Sequence, residues 1–182
     1  MENLSHSYQS EYLGSIFHLP SFKKIVEETI QCLNFVRQKH NADSLAFSGT
    51  SGSGIAYIAS YALNMPLILV RKPASQEPSH MFGFVEGNLD SKRYIIVDDF
   101  VSSGDTIARI ICAIHSGIPN ARCSAIHLYR GYNLTGFSAS WVDRIPMYSN
   151  RMLLNESVLI SSEIEEYPFA YKGEYYPGIP II

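Results

Sequence analysis

Tyr94-Ile95-Ile96-Val97-Asp98-Asp99-Phe100-Val101-Ser102-Ser103-Gly104-Asp105-Thr106 packs a strand, two acids, a turn and a helix start into thirteen residues. Tyr94 to Val97 are aromatic or β-branched, so this segment favours an extended chain. Such a strand delivers Asp98 and Asp99 to its carboxyl end, where open α/β sheets bind their ligands. The turn that follows is made of hydroxyls and a glycine. It leads into a stripe of Ile107, Ile110, Ile111 and Ile114 at helical spacing. A helix start offers backbone N–H groups and a positive dipole end, which together suit a phosphate. Acids that accept from a diol beside a phosphate cradle describe a site for a phosphorylated ribose.

Outward from this stretch, strands and helices alternate. Ser21 reads as an N-cap, followed at helical spacing by Phe22, Ile25, Val26, Thr29, Ile30, Leu33 and Val36, with a stop near Lys39-His40-Asn41. Ser44–Ser48 reads as a short strand, Gly49–Gly54 as a flexible turn, and Ile55, Ile58, Ala59, Ala62 and Leu63 as one helix face. Asn64-Met65-Pro66 ends that helix and Leu67–Arg71 forms a buried strand. Residues 72–90 read as a long loop of the lid or connector kind, with a short hairpin near Gly83–Leu89. After the helix of the isoleucine stripe, closed by Gly117 and Pro119, Cys123–Tyr129 is a further strand. Trp141–Ile145 and Ser157–Ile160 are candidate short strands, and the tail, rich in aromatics, prolines and glycines, reads as extended. This alternation predicts an α/β fold, a Rossmann-like, mostly parallel sheet with helices on both faces. One domain spans 1–182, with a core about 21–130 and a small hood from 1–20 and 131–182.

Composition narrows the function classes. With 46% hydrophobic and 17% charged residues the chain is neither disordered nor membrane-spanning. A net charge of −3 without a basic stripe argues against nucleic acid as the main partner. The first residues lack the basic start and apolar run of a secretory signal. Cys32, Cys112 and Cys123 have no CxxC spacing and read as buried free thiols, which places the protein in a reducing cytoplasm. The six histidines show no zinc spacing.

The segment IIVDDFVSSGDT closely resembles the signature of the type I phosphoribosyltransferases: three apolar residues, two acids, two variable positions, a hydroxyl pair, glycine and a small pair. The resemblance covers roughly residues 44–130 and is closest in layout to the orotate branch. It implies the type I phosphoribosyltransferase fold. It also implies that Asp98 and Asp99 hold the ribose hydroxyls of phosphoribosyl pyrophosphate (PRPP), with Ser102, Ser103, Gly104, Asp105 and Thr106 around its 5′-phosphate. Asp105 departs from the family, which carries a small or basic residue there. A carboxylate in the first turn of a helix is stabilised by the dipole, so its side chain is expected to turn outward while its N–H serves the ligand.

By the same resemblance, the loop after the first core strand holds pyrophosphate, here Ser48, Gly49, Thr50, Ser51 and Gly52. This segment is not a Walker A loop, since no lysine follows the glycines, nor a Rossmann fingerprint, since they run G-x-x-G-x-G. A hydrolase elbow nearly appears at Gly49–Ser53, with Ser51 and His115 or His127 as imaginable triad members, but lacks its last glycine. In the orotate branch an Arg-Lys pair ends the next strand before a mobile catalytic loop, which makes Lys72 a candidate catalytic residue and Arg71 a pyrophosphate contact. Tyr129–Tyr132, Trp141 and the Tyr-rich tail are candidates for the base.

The activity so implied is transfer of the 5-phosphoribosyl group from PRPP to a nitrogenous base in nucleotide metabolism, with Mg2+ as cofactor. The ion would be held mainly by PRPP oxygens and by waters near Asp98 and Asp99. PRPP and a nucleobase-like acceptor are the expected partners, with a homodimer, or a place in a larger assembly, as the expected state. The alternative is a non-catalytic PRPP- or nucleotide-binding regulator or effector subunit on the same fold.

Overall fold

A computed structural model describes residues 19–72, 84–101, 103–130 and 145–155. Helix α1, Leu19–His40, starts two residues before Ser21. Pro20 is tolerated there because a first-turn residue has no intrahelical partner for its N–H. It buries Thr29, Cys32, Leu33 and Val36, and Asn41, at φ 50, turns the chain out of it. Strand β1 is Ser44–Phe47, buried throughout.

Helix α2 is Gly49–Leu63, so the glycine-rich segment expected as a flexible turn forms its first turns instead. Glycine is a poor helix former, and tertiary contact overrides the propensity. A Cβ on Gly52 would lie 2.8 Å from the Val97 carbonyl oxygen and 3.1 Å from Phe47 Cβ, so only glycine lets the helix sit this close to the sheet. Asn64, left-handed at φ 50, ends α2, and the Arg37 guanidinium donates to the Leu63 carbonyl.

Strand β2 is Leu67–Val70, and β3, Val85–Gly87, is among the described residues the one strand in the stretch expected to form a hairpin near Gly83–Leu89; it pairs antiparallel with β2 instead of with a second strand of that stretch. Strand β4 is Arg93–Asp98, helix α3 is Asp105–Gly117 and strand β5 is Arg122–Leu128. Strand β6, Met147–Ser149, and helix α4, Asn150–Asn155, complete the described fold. They lie in the stretch expected to form a hood, and they extend the core sheet instead. Ser157–Ile160, the tail and all but Ile145 of Trp141–Ile145 lie outside the described residues.

The six strands run in the order β3-β2-β1-β4-β5-β6, all neighbours parallel except β2 with β3. Residues alternate across β4. Tyr94 and Ile96 join the cluster of Ile107, Ile110, Ile111 and Ile114 on the α3 face, while Ile95 and Val97 join Leu33, Val36, Ile55 and Leu153 on the α1, α2 and α4 face. Helices therefore cover both faces, as the sequence implies. The crossovers β1-α2-β2 and β4-α3-β5 run outward in opposite directions from the central β1–β4 pair, and right-handed connections put their helices on opposite faces. The chain order reverses between β1 and β4. Open sheets bind ligands in the crevice at such a point, and the end of β4, the segment after it and the start of α2 bring most of the residues singled out above there.

Candidate active site

Strand β4 is flanked by β1 and β5, and from Tyr94 to Val97 it is buried on both faces. Its end therefore brings Asp98 and Asp99 to a fixed place, 4% and 6% exposed. The ladder continues past the strand, with Tyr129 N–H donating to the Asp98 carbonyl and Arg130 N–H to the Asp99 carbonyl, each at 3.1 Å. Asp98 Oδ1 accepts the Asp99 N–H at 2.9 Å and the Ser51 hydroxyl at 3.1 Å. Burial pushes the Asp98 carboxyl up to about 7, the neighbouring Asp99 carboxyl adds to the rise, and the two donors on Oδ1 oppose it.

The loop beyond the acids leads through buried Val101 to Gly104, the N-cap of α3 at φ 87. Gly104 offers no side-chain cap to the helix. Asp105 is exposed and its Oδ2 accepts the Ser103 hydroxyl at 2.8 Å, while its N–H, expected to serve the ligand, is directed to Ser103 Oγ at 3.4 Å. On the other side, Ser48 at the end of β1 is the N-cap of α2 with no side-chain cap bond. Its Oγ is buried and has no hydrogen-bond partner. A buried hydroxyl without a partner costs stability, and here it borders a cavity that can supply one.

That cavity has a volume of about 230 Å³. Ser48 and Ser51 come to it from the β1–α2 side, Asp98 and Asp99 from β4, Ser103, Gly104 and Thr106 from the start of α3, and Lys72 from beyond β2. Phe100, Val101 and Ile107 give it an apolar wall. Lys72 crosses the start of α2: a Cβ on Gly49, whose φ is 73, would meet its Cε at 2.8 Å and its Nζ at 3.0 Å. One cavity thus joins two buried acids, an amino group, several hydroxyls and two helix N-termini.

No protein-family model and no curated protein sequence matches the chain. Its architecture does match solved structures. Orotate phosphoribosyltransferase from Aeropyrum pernix is similar with a TM-score of 0.55 at 17% identity, over 82% of this chain and 83% of that one. Adenine phosphoribosyltransferase from Thermoanaerobacter pseudethanolicus gives 0.56 at 18%, over 74% and 82%. The orotate phosphoribosyltransferase of Mycobacterium tuberculosis in complex with PRPP gives 0.56 at 14%, over 79% and 80%. The fold is that of the phosphoribosyltransferases.

On this phosphoribosyltransferase fold the residues expected from sequence separate into two groups. Asp98, Asp99, Lys72, Ser48, Ser51, Ser103, Gly104 and Thr106 line the cavity. Arg71, Thr50, Gly49, Gly52 and Asp105 do not. Arg71 points instead to Glu86 on β3, donating through Nε at 2.6 Å and Nη2 at 3.0 Å, so the β2–β3 pair holds its guanidinium. Thr50 uses its carbonyl to accept the Ser53 hydroxyl, and Gly52 serves packing. Ser102 lies outside the described residues, as do Trp141 and the aromatic tail. Tyr129 is buried with its hydroxyl on the Ser51 carbonyl at 2.9 Å, which leaves no open ring face for a base. Phe100, which sequence reasoning passed over as a variable position after the acids, borders the cavity and is 38% exposed.

The residues imagined as a hydrolase triad are not brought together. Ser51 Oγ donates to Asp98, while His127 is fully buried on Asn150 Oδ1 at 2.8 Å and burial pushes it down to about 4. His115 sits in the last turn of α3, about 15 Å along the axis from its start at 1.5 Å per residue.

Proposed function

We propose that this chain is a phosphoribosyltransferase that moves the 5-phosphoribosyl group from PRPP to a nitrogenous base and releases pyrophosphate. The observation that carries the proposal is the meeting, in one cavity, of the buried Asp98–Asp99 pair, Lys72 and the N-termini of α2 and α3. The acids accept from the ribose hydroxyls. The α3 mouth, with Ser103, Gly104 and Thr106, seats the 5′-phosphate, and the α2 mouth, with Ser48 and Lys72, seats the pyrophosphate. Phe100 offers a ring face to a planar acceptor. In the reaction a nitrogen lone pair of the base forms the bond to C1 of the ribose. The C1–O bond breaks with its electron pair leaving on pyrophosphate, and the proton on the base nitrogen passes to solvent. A loose, cationic transition state needs clamping and charge complementarity more than a strong base.

Mg2+ belongs to this reading. Among the described residues there is no group of three or more His, Cys, Asp or Glu that could hold a metal ion. The donors present are two neighbouring carboxylates beside the space for an oxygen-rich substrate, which suits an ion that keeps its waters and shares substrate oxygens. Asp98 and Asp99 would hold its waters, and the ion would supply charge neutralisation to the pyrophosphate.

The deciding experiment incubates the protein with PRPP, Mg2+ and a panel of purine, pyrimidine and pyridine bases and measures pyrophosphate. Release with at least one base is the expected result. A second reading, a PRPP- or nucleotide-binding regulator or effector subunit, is favoured by the engagement of Ser103 with Asp105 and of Arg71 with Glu86, which thins the donor set. Binding of PRPP without turnover of any base would select it. The proposal includes a homodimer, suggested by exposed Tyr57, Ile58 and Tyr61 on α2 and checked by light scattering. It also includes a cytoplasmic location, which suits the free thiols of Cys32, Cys112 and Cys123.

A further inference from the structure

Three contacts lock the start of α2 onto the carboxyl edge of the sheet. Gly52 lies against the Val97 carbonyl, Tyr129 Oη donates to the Ser51 carbonyl at 2.9 Å, and Ser51 Oγ donates to Asp98 Oδ1 at 3.1 Å. The first two hold the Ser51 backbone, so its side chain is the part left to turn. A serine hydroxyl carries one proton and can donate it once. In this structure that proton goes to the acid of the ribose half of the cavity, although Ser51 stands at the mouth of α2, the pyrophosphate half.

We infer that Ser51 is a positioning residue that links the two halves of the site, its hydroxyl passing from Asp98 to the pyrophosphate when the ligands bind. This rests on the function proposed above and assigns Ser51 a role other than a standing pyrophosphate contact. Each half then prepares the other. A ribose hydroxyl that donates to Asp98 Oδ1 takes the place of the Ser51 proton and frees it for the anion. An anion at the α2 mouth draws the same proton away and opens an acceptor on Asp98 for the sugar. No covalent bond changes; one hydrogen bond is exchanged for two. Coupling between sites that share one such group is typically between about five- and a hundredfold in affinity.

The test uses the two halves of the substrate as separate probes, in the full chain at fixed Mg2+. Calorimetry measures the Kd of inorganic pyrophosphate without and with saturating ribose 5-phosphate, in wild type, Ser51→Ala and Ser51→Cys. Cysteine keeps the size and weakens the donor, so it serves if the alanine variant folds poorly. The ratio of the two Kd values is the readout, because a purely structural role of Ser51 would weaken both together and leave it unchanged. Ribose 5-phosphate is expected to tighten pyrophosphate about tenfold more in wild type than in either variant. Equal ratios in all three proteins would overturn the linkage while leaving the transferase reading standing. If neither probe binds wild type, the transferase reading falls and the inference falls with it.

Discussion

Replacing Asp98 with Asn is expected to make the protein more stable while disabling it. Asp98 is 4% exposed, and its carboxyl is moved by burial, and then by Asp99, from the ordinary carboxylate value to about 7. A folded-state pKa raised above the unfolded one marks stability that is complete below the unfolded value. That stability is lost as pH rises through the folded one. The wild type therefore gives up stability between about pH 4 and pH 7 by ionising a buried acid. At 1.36 kcal/mol per pH unit, a rise from about 4 to about 7 corresponds to roughly 4 kcal/mol. Asn keeps a carbonyl oxygen to accept the Ser51 hydroxyl and the Asp99 N–H, so both bonds on Oδ1 survive the change. Guanidinium unfolding at pH 4 and pH 8 should show the two proteins about equal at the lower pH. At pH 8, Asp98→Asn should be more stable by up to about 4 kcal/mol, or about 8–16 °C in Tm for a chain of this size. A variant less stable at pH 8, or a difference that does not change with pH, refutes the reasoning. Loss of PRPP binding in the same variant would show that the buried acid is kept for function at a cost in stability.

Further outcomes follow from neighbouring residues. Lys72→Ala is expected to weaken PRPP binding about 10- to 100-fold, the worth of a charge-assisted hydrogen bond, in a titration at low salt. Arg71→Ala, whose guanidinium is held by Glu86, should change it by less than about threefold, as a surface change does; equal losses would mean that both cations reach the ligand. Gly49→Ala places a Cβ at φ 73 against Lys72, so it should cost about 1–3 kcal/mol of stability and raise the KM for PRPP. Asp43 receives hydrogen bonds from Ser44, Ser91 and the N–H groups of Lys92 and Arg93. Burial works to raise its carboxyl, and these donors outweigh burial and hold it below the ordinary value. Its contribution is present above about pH 4 and lost as pH falls further, so Asp43→Asn should flatten the acid limb of a stability–pH curve.

What the sequence displayed, and what it hid, divides along physical lines. The stretch from Tyr94 to Thr106 was legible because each part is decided locally: β-branched residues make a strand, and acids and glycine end it. The stripe of Ile107, Ile110, Ile111 and Ile114 marked α3 for the same reason. The start of α2 was not legible, because Gly49 to Gly54 are weak helix formers. Their helical state depends on Gly52 meeting the Val97 carbonyl of a strand far along the chain. Strand β6 has three residues, too few for periodicity to register, and its place depends on pairing with β5. Arg71 and Lys72 are adjacent cations whose roles are separated by Glu86, fifteen residues on, and by strand geometry. The tie from Ser51 to Asp98 joins the first turn of α2 to the end of β4, which only the sheet brings together.

The claim on which the rest depends is that Asp98 and Asp99 grip a ribose while the α3 mouth holds its phosphate. Calorimetric titration of PRPP with Mg2+ into wild type and into the Asp98→Asn, Asp99→Asn double variant tests it most directly, with circular dichroism to show both folded. Saturable binding by wild type and a loss of about a hundredfold or more in the double variant is the predicted result, since each acid makes hydrogen bonds worth about 1.5–3 kcal/mol. Equal affinity in the two proteins, or no binding by wild type, would contradict it.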